Sequence, residues 1–319
     1  MAFISEKIIN GKKRYYLEKS VRLPNGKIKK ISVYLKDYDK DKNYSELKDY
    51  NKVLEEKVKK IIIDAFSKKY KTSYVFDEKN LKKLEEIRLG YKKIIGKLTK
   101  SQLKDALDKF TINFTYESNA IEGNSLTLKD VTFIILEDKV LKGKDLREVY
   151  ETLNTRKAIE WIFFNRLKIN HKNIIKLHEI LVENTGISTG YKKIPNFLIG
   201  RNIKTTPPER VEEEMDKLIE WYNKVDDIHP LQKAAIFHGK FEEIHPFEDG
   251  NGRVGRLLIN IMLLSTDYPP LIIRKTQRIR YFHALEAFDN NHYDNLYRFL
   301  FKKYKDTYNK FFKIYVKYI

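Results

Sequence analysis

The sequence predicts a mainly α-helical protein preceded by a small antiparallel β-meander. Three β-rich runs stand at residues 3–9, 13–22 and 27–35, and turn-forming residues separate them. After the polar stretch 36–43, apolar side chains recur at spacings of three and four, which is the period of an amphipathic helix. With 319 residues, of which 42% are hydrophobic and 13% aromatic, the chain can bury a substantial core.

Turn residues set the ends of the predicted strands. Asn10-Gly11-Lys12 follows the first run, and Leu23-Pro24-Asn25-Gly26 follows the second. Asn25-Gly26 is a strong hairpin signal, because the favoured tight turn needs positive φ at its central residues. We therefore predict a meander plus a helix in residues 1–75 and a helical region in residues 76–319.

Ten helices are predicted after residue 75, with ends accurate to about four residues. They cover residues 79–98, 101–120, 127–138, 145–167, 171–184, 209–225, 231–244, 252–265, 277–289 and 293–316. Thr127, with Asp130 three residues later, is typical of a helix start. Aromatic residues alternate with lysines along the last helix, and we interpret them as core packing or as a homodimer surface.

The composition excludes several kinds of protein. No cysteine is present, which excludes disulfides, thiolate catalysis and thiolate metal sites. No apolar run reaches the roughly 18 residues that a membrane span needs, and the first residues lack the apolar core of a signal peptide. Outside residue 245, the histidines show no ligand-like spacing. We therefore expect a cytoplasmic protein with no membrane partner and no zinc site.

The net charge of +19 is concentrated near the N-terminus. Residues 1–110 contain 30 lysines and arginines against 16 aspartates and glutamates, whereas the remaining 209 residues contain 33 against 28. Such an excess can serve nucleic acid or another acidic partner. It can also simply solvate the outer faces of a small sheet and long helices. We favour this second interpretation, because no nucleic-acid motif accompanies the charge.

One stretch of twelve residues, 245–256, concentrates reactive side chains. It reads His-Pro-Phe-Glu-Asp-Gly-Asn-Gly-Arg-Val-Gly-Arg. Gly250 and Gly252 let the backbone turn with its N–H groups pointing inward. The apolar run that follows predicts a buried helix whose positive N-terminal end faces this turn, so an anion is expected there.

The side chains of this stretch suggest a role for each residue. A neutral imidazole at His245 can take a proton from an attacking hydroxyl, which makes it the candidate general base. Asp249 supplies a hard oxygen ligand of the kind that Mg2+ prefers. Arg253 and Arg256 are three residues apart and can grip successive phosphates. Asn251 can offer its side-chain amide to the same oxygens.

Residues 245–256 resemble the signature of the Fic (Fic/Doc) family, His-x-Phe-x-(Asp/Glu)-Gly-Asn-Gly-Arg-x-x-Arg, and match every specified position. The resemblance implies a Fic-type helical core, at about residues 110–290, with a β-hairpin flap. It also implies transfer of AMP from ATP to a protein hydroxyl, with His245 as the base and Asp249 on Mg2+. The phosphates would lie against the N–H groups of the glycine turn and under the two arginines.

A second segment, Ser118-Asn119-Ala120-Ile121-Glu122-Gly123, is similar to the family's inhibitory motif, Ser/Thr-x-x-x-Glu-Gly/Asn. Ser118 and Glu122 are four residues apart, so a helix places both on one face. The resemblance implies that Glu122 pairs with Arg256 and keeps the γ-phosphate of ATP out of the reactive pose. In some family members this glutamate also positions a water that removes AMP from the target, and the sequence leaves both roles open.

A third segment, between Tyr191 and Pro208, interrupts the helical periodicity and predicts a short hairpin closed by two prolines. In Fic proteins the element at this position is a flap that receives an extended segment of the target by strand pairing. We assign target docking to the consecutive residues Ile199, Gly200, Arg201, Asn202, Ile203 and Lys204.

Each assignment has a structural alternative. His245 could be a capping or core histidine, and Ser118 an ordinary cap or surface residue. Glu122 could be a solvated carboxylate near a helix end, with Gly123 as the C-cap. Arg256 could belong to an ordinary surface ion pair, worth about 0 to 1 kcal/mol. The complete motif favours the functional interpretation.

The sequence therefore predicts a Mg2+-dependent nucleotidyltransferase that moves AMP from ATP to a Ser, Thr or Tyr hydroxyl of a target protein, which can be the chain itself. One alternative is transfer of UMP, phosphocholine or phosphate on the same fold. The other is a basic nucleic-acid-binding or scaffold protein with a vestigial Fic core. The target, the signal that displaces Glu122 and the oligomeric state correspond to no pattern in the sequence.

Overall fold

The computed structural model describes residues 2–36, 38, 47–137, 142–165, 167–196 and 205–318. Contacts divide the chain into two compact units, Met1–Leu89 and Gly90–Ile319. The domain boundary predicted near residue 75 stays a prediction.

The first unit is an antiparallel sheet in the order β1-β2-β3, with a helix on one of its faces. Its elements are β1 (Phe3–Ile9), β2 (Lys12–Arg22), β3 (Ile28–Leu35) and α1 (Leu47–Ser67). Asn10 and Gly11 have φ of 51° and 71°, the conformation of a type I′ hairpin turn. Successive side chains of a strand point to opposite faces of the sheet, so the apolar ones share the face that contacts α1. Leu17, Val21, Ile31, Val33 and Leu35 pack there with Leu54 and Val58.

The rest of the described chain is helical. The helices are α2 (Glu78–Ile95), α3 (Lys100–Ile121), α4 (Leu128–Glu137), α5 (Leu146–Phe164), α6 (His171–Val182), α7 (Val211–Lys224), α8 (Pro230–Ile244), α9 (Asn251–Ser265), α10 (Arg278–Asp289) and α11 (Tyr293–Thr307). Every predicted helix is present, and the mainly α prediction with an N-terminal meander is confirmed. No helix in the described ranges has the length and hydropathy needed to cross a bilayer.

Local sequence explains where several helices begin. Thr99 and Gln102 form a capping box at the start of α3. Thr127 and Asp130 exchange the corresponding bonds before α4, at 2.8 and 3.2 Å, as predicted for this pair. Each box satisfies backbone N–H groups that the first helical turn leaves without a partner.

The C-terminal helix is shorter than predicted. α11 ends at Thr307, and Tyr308–Phe312 forms a wider π-helical turn that is followed by 3₁₀ turns. This change of pitch directs Phe312 and Tyr315 into the core, where each is 4% exposed. The prediction of one helix to residue 316 was wrong, because an aromatic–lysine alternation does not reveal a change from α to π winding. The buried aromatics here serve packing.

Helices α8 and α9 position the candidate site. They approach so closely at Gly255 that a Cβ there would lie 2.8 Å from the His238 ring and 2.9 Å from a Glu242 oxygen. The end of α8 and the start of α9 are joined by residues 245–250, which we call the motif loop.

Candidate active site

The motif loop begins with a residue in an unusual backbone conformation. His245 has φ 51° and ψ 61°, in the left-handed region, and its N–H donates to the Phe241 carbonyl oxygen at 2.9 Å. Few residues other than glycine adopt this conformation, so the surroundings must hold it. The turn leaves His245 half-buried at the first position of the loop.

Hydrogen bonds between Phe247 and Asn251 stabilise the motif loop. Phe247 is 0% exposed; its N–H donates to Asn251 Oδ1 at 2.9 Å, and its carbonyl oxygen accepts from Asn251 Nδ2 at 2.8 Å. The Asn251 side chain, itself only 2% exposed, therefore holds the loop, and the phosphate contact predicted for Asn251 stays a prediction. Its amide pairs with both the N–H and the carbonyl oxygen of one residue, as a neighbouring strand would.

His178 of α6 supports the loop, and the sequence interpretation missed it. Its ring is stacked on Phe247, with centroids 3.9 Å apart and planes 1° apart, and its Nε2 lies 3.0 Å from the Asp249 carbonyl oxygen. Because a carbonyl can only accept, Nε2 carries the proton. Burial lowers the pKa of His178 to about 4. Its place on the buried face of α6 was visible in the sequence, but its partner was not.

Lys192 and Asn196 hold the other side of the loop. The Lys192 N–H donates to the Pro246 carbonyl oxygen at 2.8 Å, and Asn196 Nδ2 donates to that of Phe247 at 2.9 Å. Lys192 Nζ in turn donates to Asn196 Oδ1 at 2.7 Å and to Thr205 Oγ1 at 3.1 Å. Burial lowers the pKa of Lys192 to about 8. The segments on either side of the predicted flap are thereby tied to the loop.

The start of α9 has the chemistry of an anion-binding site. Gly250, with φ 84°, is the N-cap, and the helix begins at Asn251. The backbone N–H groups of the first turn have no acceptor within the helix, and the helix dipole adds positive potential. A phosphate or a carboxylate is the expected ligand at this position.

Asp249 lies beside this helix start with its side chain 47% exposed. Its Oδ1 accepts the Gly250 N–H at 2.6 Å, and its Oδ2 accepts from Arg147 at 2.8 Å. Arg147 is a second residue that sequence reasoning missed.

The surroundings of Asp249 fit a Mg2+ ion that arrives with a nucleotide. Mg2+ commonly takes one or two carboxylates and completes its shell with water and substrate phosphates. Asp249 is a half-exposed carboxylate next to the anion site, which suits this arrangement. Among the described residues, no group of three His, Asp or Glu side chains could form a metal site made of protein alone.

The two arginines of the motif point to different partners. Arg253 is 3% exposed, and its guanidinium lies 3.2 Å from Glu151 and 3.8 Å from Asp249. Arg256 faces α3 instead. Their spacing alone predicted that both side chains lie on one side of α9. Instead, each buried guanidinium group is directed to the carboxylate that packs against it.

Arg256 binds both residues of the predicted inhibitory motif. Its Nε donates to Ser118 Oγ at 3.0 Å, and its Nη2 donates to the Ser118 carbonyl oxygen at 3.0 Å and to Glu122 Oε1 at 2.6 Å. The ion pair that the resemblance implied is therefore present. Burial alone would lower the pKa of Arg256, but the Glu122 carboxylate keeps that pKa raised.

Glu122 also lies directly against the start of α9. A Cβ at position 252 would overlap the Glu122 carboxylate, and it would come within 3.0 Å of Arg256 Nη1. Only glycine at 252 allows this approach. The carboxylate therefore takes the position beside the first turn of α9 where an anionic ligand would bind.

The end of α3, which carries Glu122, is anchored by three residues at and just before the start of α10. Glu117 receives a bond from Arg274 at 3.0 Å and from the Lys275 N–H at 2.7 Å. Arg278 Nε donates to the Ile121 carbonyl oxygen at 2.6 Å. None of these anchors was predicted, because the residues lie more than 150 positions from their partners.

The structure thus brings most of the predicted site residues together. The motif loop carries His245, Asp249 and Gly250, and the first two turns of α9 carry Asn251, Gly252, Arg253 and Arg256. Ser118 and Glu122 reach them from the end of α3. The target-docking residues predicted at 199–204 lie outside the described residues.

Comparison with known proteins identifies this region. Residues 168–263 match the Fic/DOC family model. The protein adenylyltransferase Fic of Drosophila grimshawi is 32% identical over 232 residues, which is 70% of this chain and 47% of that protein. The chain spans about half the length of the curated relatives it matches.

Solved structures show the same fold. A Fic-domain-containing signalling protein from Bacteroides thetaiotaomicron aligns with a TM-score of 0.68 and 26% identity, covering 75% of this chain and 97% of that one. A Fic family protein from Desulfovibrio desulfuricans G20 aligns with a TM-score of 0.63 and 26% identity, covering 76% and 75%. With its Fic domain and these relatives, the chain belongs to the Fic/DOC family.

Proposed function

We propose that this protein is an adenylyltransferase that moves AMP from ATP to a Ser, Thr or Tyr hydroxyl of a target protein. One observation carries the proposal. An imidazole, a carboxylate and the N–H groups of a helix start all lie in the motif loop and the first turn of α9. The relatives named protein adenylyltransferase support this choice of reaction.

The triphosphate binds at the start of α9. The N–H groups of the first turn contact its oxygens, and the helix dipole stabilises its charge. Arg253 adds a guanidinium that is held in place by Glu151. Arg256 adds a second one once Glu122 has left it.

The transfer step needs one base. His245 takes the proton of the target hydroxyl while the hydroxyl oxygen forms a bond to the α-phosphorus. The bond from this phosphorus to the oxygen that bridges to the β-phosphate breaks, and pyrophosphate leaves with the bonding electrons. When bound, Mg2+ would be held by Asp249 and phosphate oxygens and would neutralise part of the triphosphate charge. The N–H groups at the start of α9 stabilise the charge that develops on the phosphate oxygens.

We further propose that Glu122 keeps AMP transfer slow in the resting protein. Its carboxylate is paired with Arg256 and lies against Gly252, so an incoming phosphate meets an occupied guanidinium and a repelling charge. Activity then requires displacement of this side chain from the start of α9.

The test is incubation of the purified chain with ATP labelled at the α-phosphate, with Mg2+ and with cell lysate as a source of targets. Glu122→Gly should label proteins more strongly than the unaltered chain, and His245→Ala in the Glu122→Gly background should abolish labelling. Competition with unlabelled UTP, GTP and CTP separates AMP transfer from transfer of another nucleotide.

Glu183→Gly is the matched control. Glu183 is also a helix C-cap glutamate in an ion pair, but its partner is the exposed Lys157. This variant should label like the unaltered chain. Absence of labelling by every variant would contradict the transfer reaction. Equal labelling by Glu122→Gly and Glu183→Gly would contradict the inhibitory role of Glu122. Removal of AMP by the same site, homodimer formation and a cytoplasmic location stay predictions.

A further inference from the structure

The sheet of the first unit has a second face, opposite to α1, that the proposed activity does not use. The strand register places Lys7 opposite Arg14, and Tyr16 opposite both Ser5 and Tyr34. These side chains alternate with the apolar ones that pack on α1, so they share the other side of the sheet. We call this side the basic face and define it by Lys7, Lys12, Arg14, Arg22 and Lys30.

Positive charges predominate on the basic face. Residues 2–36 contain ten lysines and arginines and only two glutamates. One of these, Glu6, pairs with Lys13. The other, Glu18, lies on the basic face but is 0% exposed, and its carboxylate is covered by Lys7 at 2.8 Å and by Lys30. Among the described residues of the basic face, an approaching ligand therefore meets cations and no exposed carboxylate.

Aromatic rings hold three of these cations in place. Lys7 lies over Tyr16 at 4.7 Å from the ring centroid, Lys30 over Phe3 at 5.3 Å, and Arg14 over Tyr34 at 5.9 Å. Such contacts reduce the freedom of long side chains before a ligand arrives. Less entropy is then lost on binding.

Solubility alone does not explain the composition of this face. Phe3 is 48% exposed and Tyr34 is 45% exposed, beside the cations. A face needed only for hydration would gain nothing from exposed rings, whereas a polyanion with flat, partly apolar groups uses both cations and rings. Charge and aromatic content together favour nucleic acid.

We propose that the basic face binds duplex DNA in its major groove. Neighbouring strands are about 4.8 Å apart, so the axes of the two outer strands lie about 10 Å apart, compared with a groove width of about 12 Å. β2, with 11 residues, is about 35 Å long at 3.3 Å per residue, which is about one helical turn of DNA. Lys12 and Arg22, at the two ends of the central strand, reach the phosphates, and Arg14 on the same strand faces the base edges. This binding is independent of nucleotide transfer.

The test is fluorescence anisotropy of a labelled mixed-sequence DNA duplex, titrated with the full chain in the absence of ATP. The dissociation constant is measured from about 50 to 200 mM salt, and the slope against salt counts the phosphate contacts at about 0.9 per contact. Duplex RNA of the same sequence is measured in parallel, since its deep, narrow major groove does not admit a sheet.

The variant Lys12→Gln/Arg14→Gln/Arg22→Gln removes three cations of the central strand and spares the partners of Glu18. We expect affinity for DNA at about 50 mM salt to fall more than tenfold, and the salt slope to fall by about 1 to 3. The matched control, Lys52→Gln/Lys57→Gln/Lys60→Gln, removes the same charge from the exposed side of α1 in the same unit. It should change affinity less than threefold.

Several outcomes would overturn the proposal. These are no DNA binding at low salt, equal losses in the two triple variants, or equal affinity for duplex RNA. If the sheet variant fails to fold, hydrogen exchange of the unaltered chain decides the matter. DNA should then slow exchange in β2 and β3, and unchanged exchange there would overturn the proposal. His245→Ala should lose AMP transfer but bind DNA like the unaltered chain. Failure of the transfer proposal and failure of the DNA-binding proposal can therefore be distinguished.

Discussion

At the residue scale, the Glu122 carboxylate lies where the proposed function places an ATP phosphate. The Glu122 carboxylate is 2.6 Å from Arg256 and in contact with Gly252, so both the guanidinium and the start of α9 are in use. Removing its charge without changing its shape isolates the electrostatic part of this competition.

Glu122→Gln should therefore bind ATP about tenfold more tightly than the unaltered chain, which corresponds to about 1.4 kcal/mol. The amide can still touch Arg256, but it no longer repels the triphosphate. Calorimetric titration with ATP measures the change. Glu183→Gln, at a C-cap paired with Lys157, should leave ATP affinity unchanged. Equal affinities for all three proteins would show that Glu122 does not oppose nucleotide binding.

His178 makes the stability of the motif loop depend on pH. Its pKa is lowered to about 4 in the fold from an ordinary value of 6.5, mainly by burial. Between these values the unfolded chain binds a proton that the folded chain does not, so stability is lost as the pH falls from 6.5 to 4. The loss should approach about 3 kcal/mol at the acid end.

His178→Gln should flatten this part of the pH profile. The glutamine amide can still donate to the Asp249 carbonyl oxygen, and it does not titrate. Urea unfolding at a series of pH values measures the effect, with His283→Gln on α10 as a histidine control. An unaltered slope between pH 6.5 and 4 in His178→Gln would refute the assignment.

In the proposed function, Arg147 competes with Mg2+ for Asp249. Its guanidinium donates to Asp249 Oδ2 at 2.8 Å and is 53% exposed, so the pair is worth about 0 to 1 kcal/mol. Arg147→Ala in the Glu122→Gly background should lower the Mg2+ concentration for half-maximal labelling by about two- to fivefold. Arg210→Ala, which removes an exposed arginine paired with Glu214, is the control and should have no effect. A higher Mg2+ requirement in Arg147→Ala would contradict the competition.

At the scale of elements, the close approach of α8 and α9 keeps the motif loop in shape. Alanine normally stabilises a helix interior by about 0.5–1 kcal/mol over glycine. At Gly255 the sign should reverse, because the added Cβ meets His238 and Glu242 at under 3.0 Å. Gly255→Ala should thus lower the free energy of unfolding by about 1–3 kcal/mol.

Urea unfolding measures this effect, and Lys104→Ala at an exposed position of α3 is the control. The control should change the free energy of unfolding by less than about 0.5 kcal/mol. A stabilised Gly255→Ala variant would mean that the two helices can separate freely at this point.

Element positions were largely predictable from sequence. The starts of α3 and α4 follow from cap residues, and the strand ends follow from Asn-Gly turns, because these signals act over a few neighbouring residues. The change to π winding after Thr307 was not predictable. It depends on side chains of α2 and α3, such as Tyr91 and Phe110, that contact Phe312.

At the scale of the whole molecule, the contacts that build the candidate site all come from residues after 116. A fragment of residues 76–319 with Glu122→Gly should therefore label itself or added targets as the full chain with Glu122→Gly does. A thermal melt verifies that the fragment is folded. A folded fragment that is inactive would contradict both the predicted boundary near residue 75 and a site confined to the helical region.

The sequence by itself determined the helices and strands, the glycine turn before α9 and the common face of Ser118 and Glu122, since periodicity and turn chemistry are local. Only the tertiary structure decided which groups meet. It placed His178 and Lys192 under the motif loop, turned Arg253 to Glu151, and set the Glu122 carboxylate against Gly252. These contacts join residues far apart in the chain, and their partners are selected by packing and by the need to pair buried charge, which no single segment encodes.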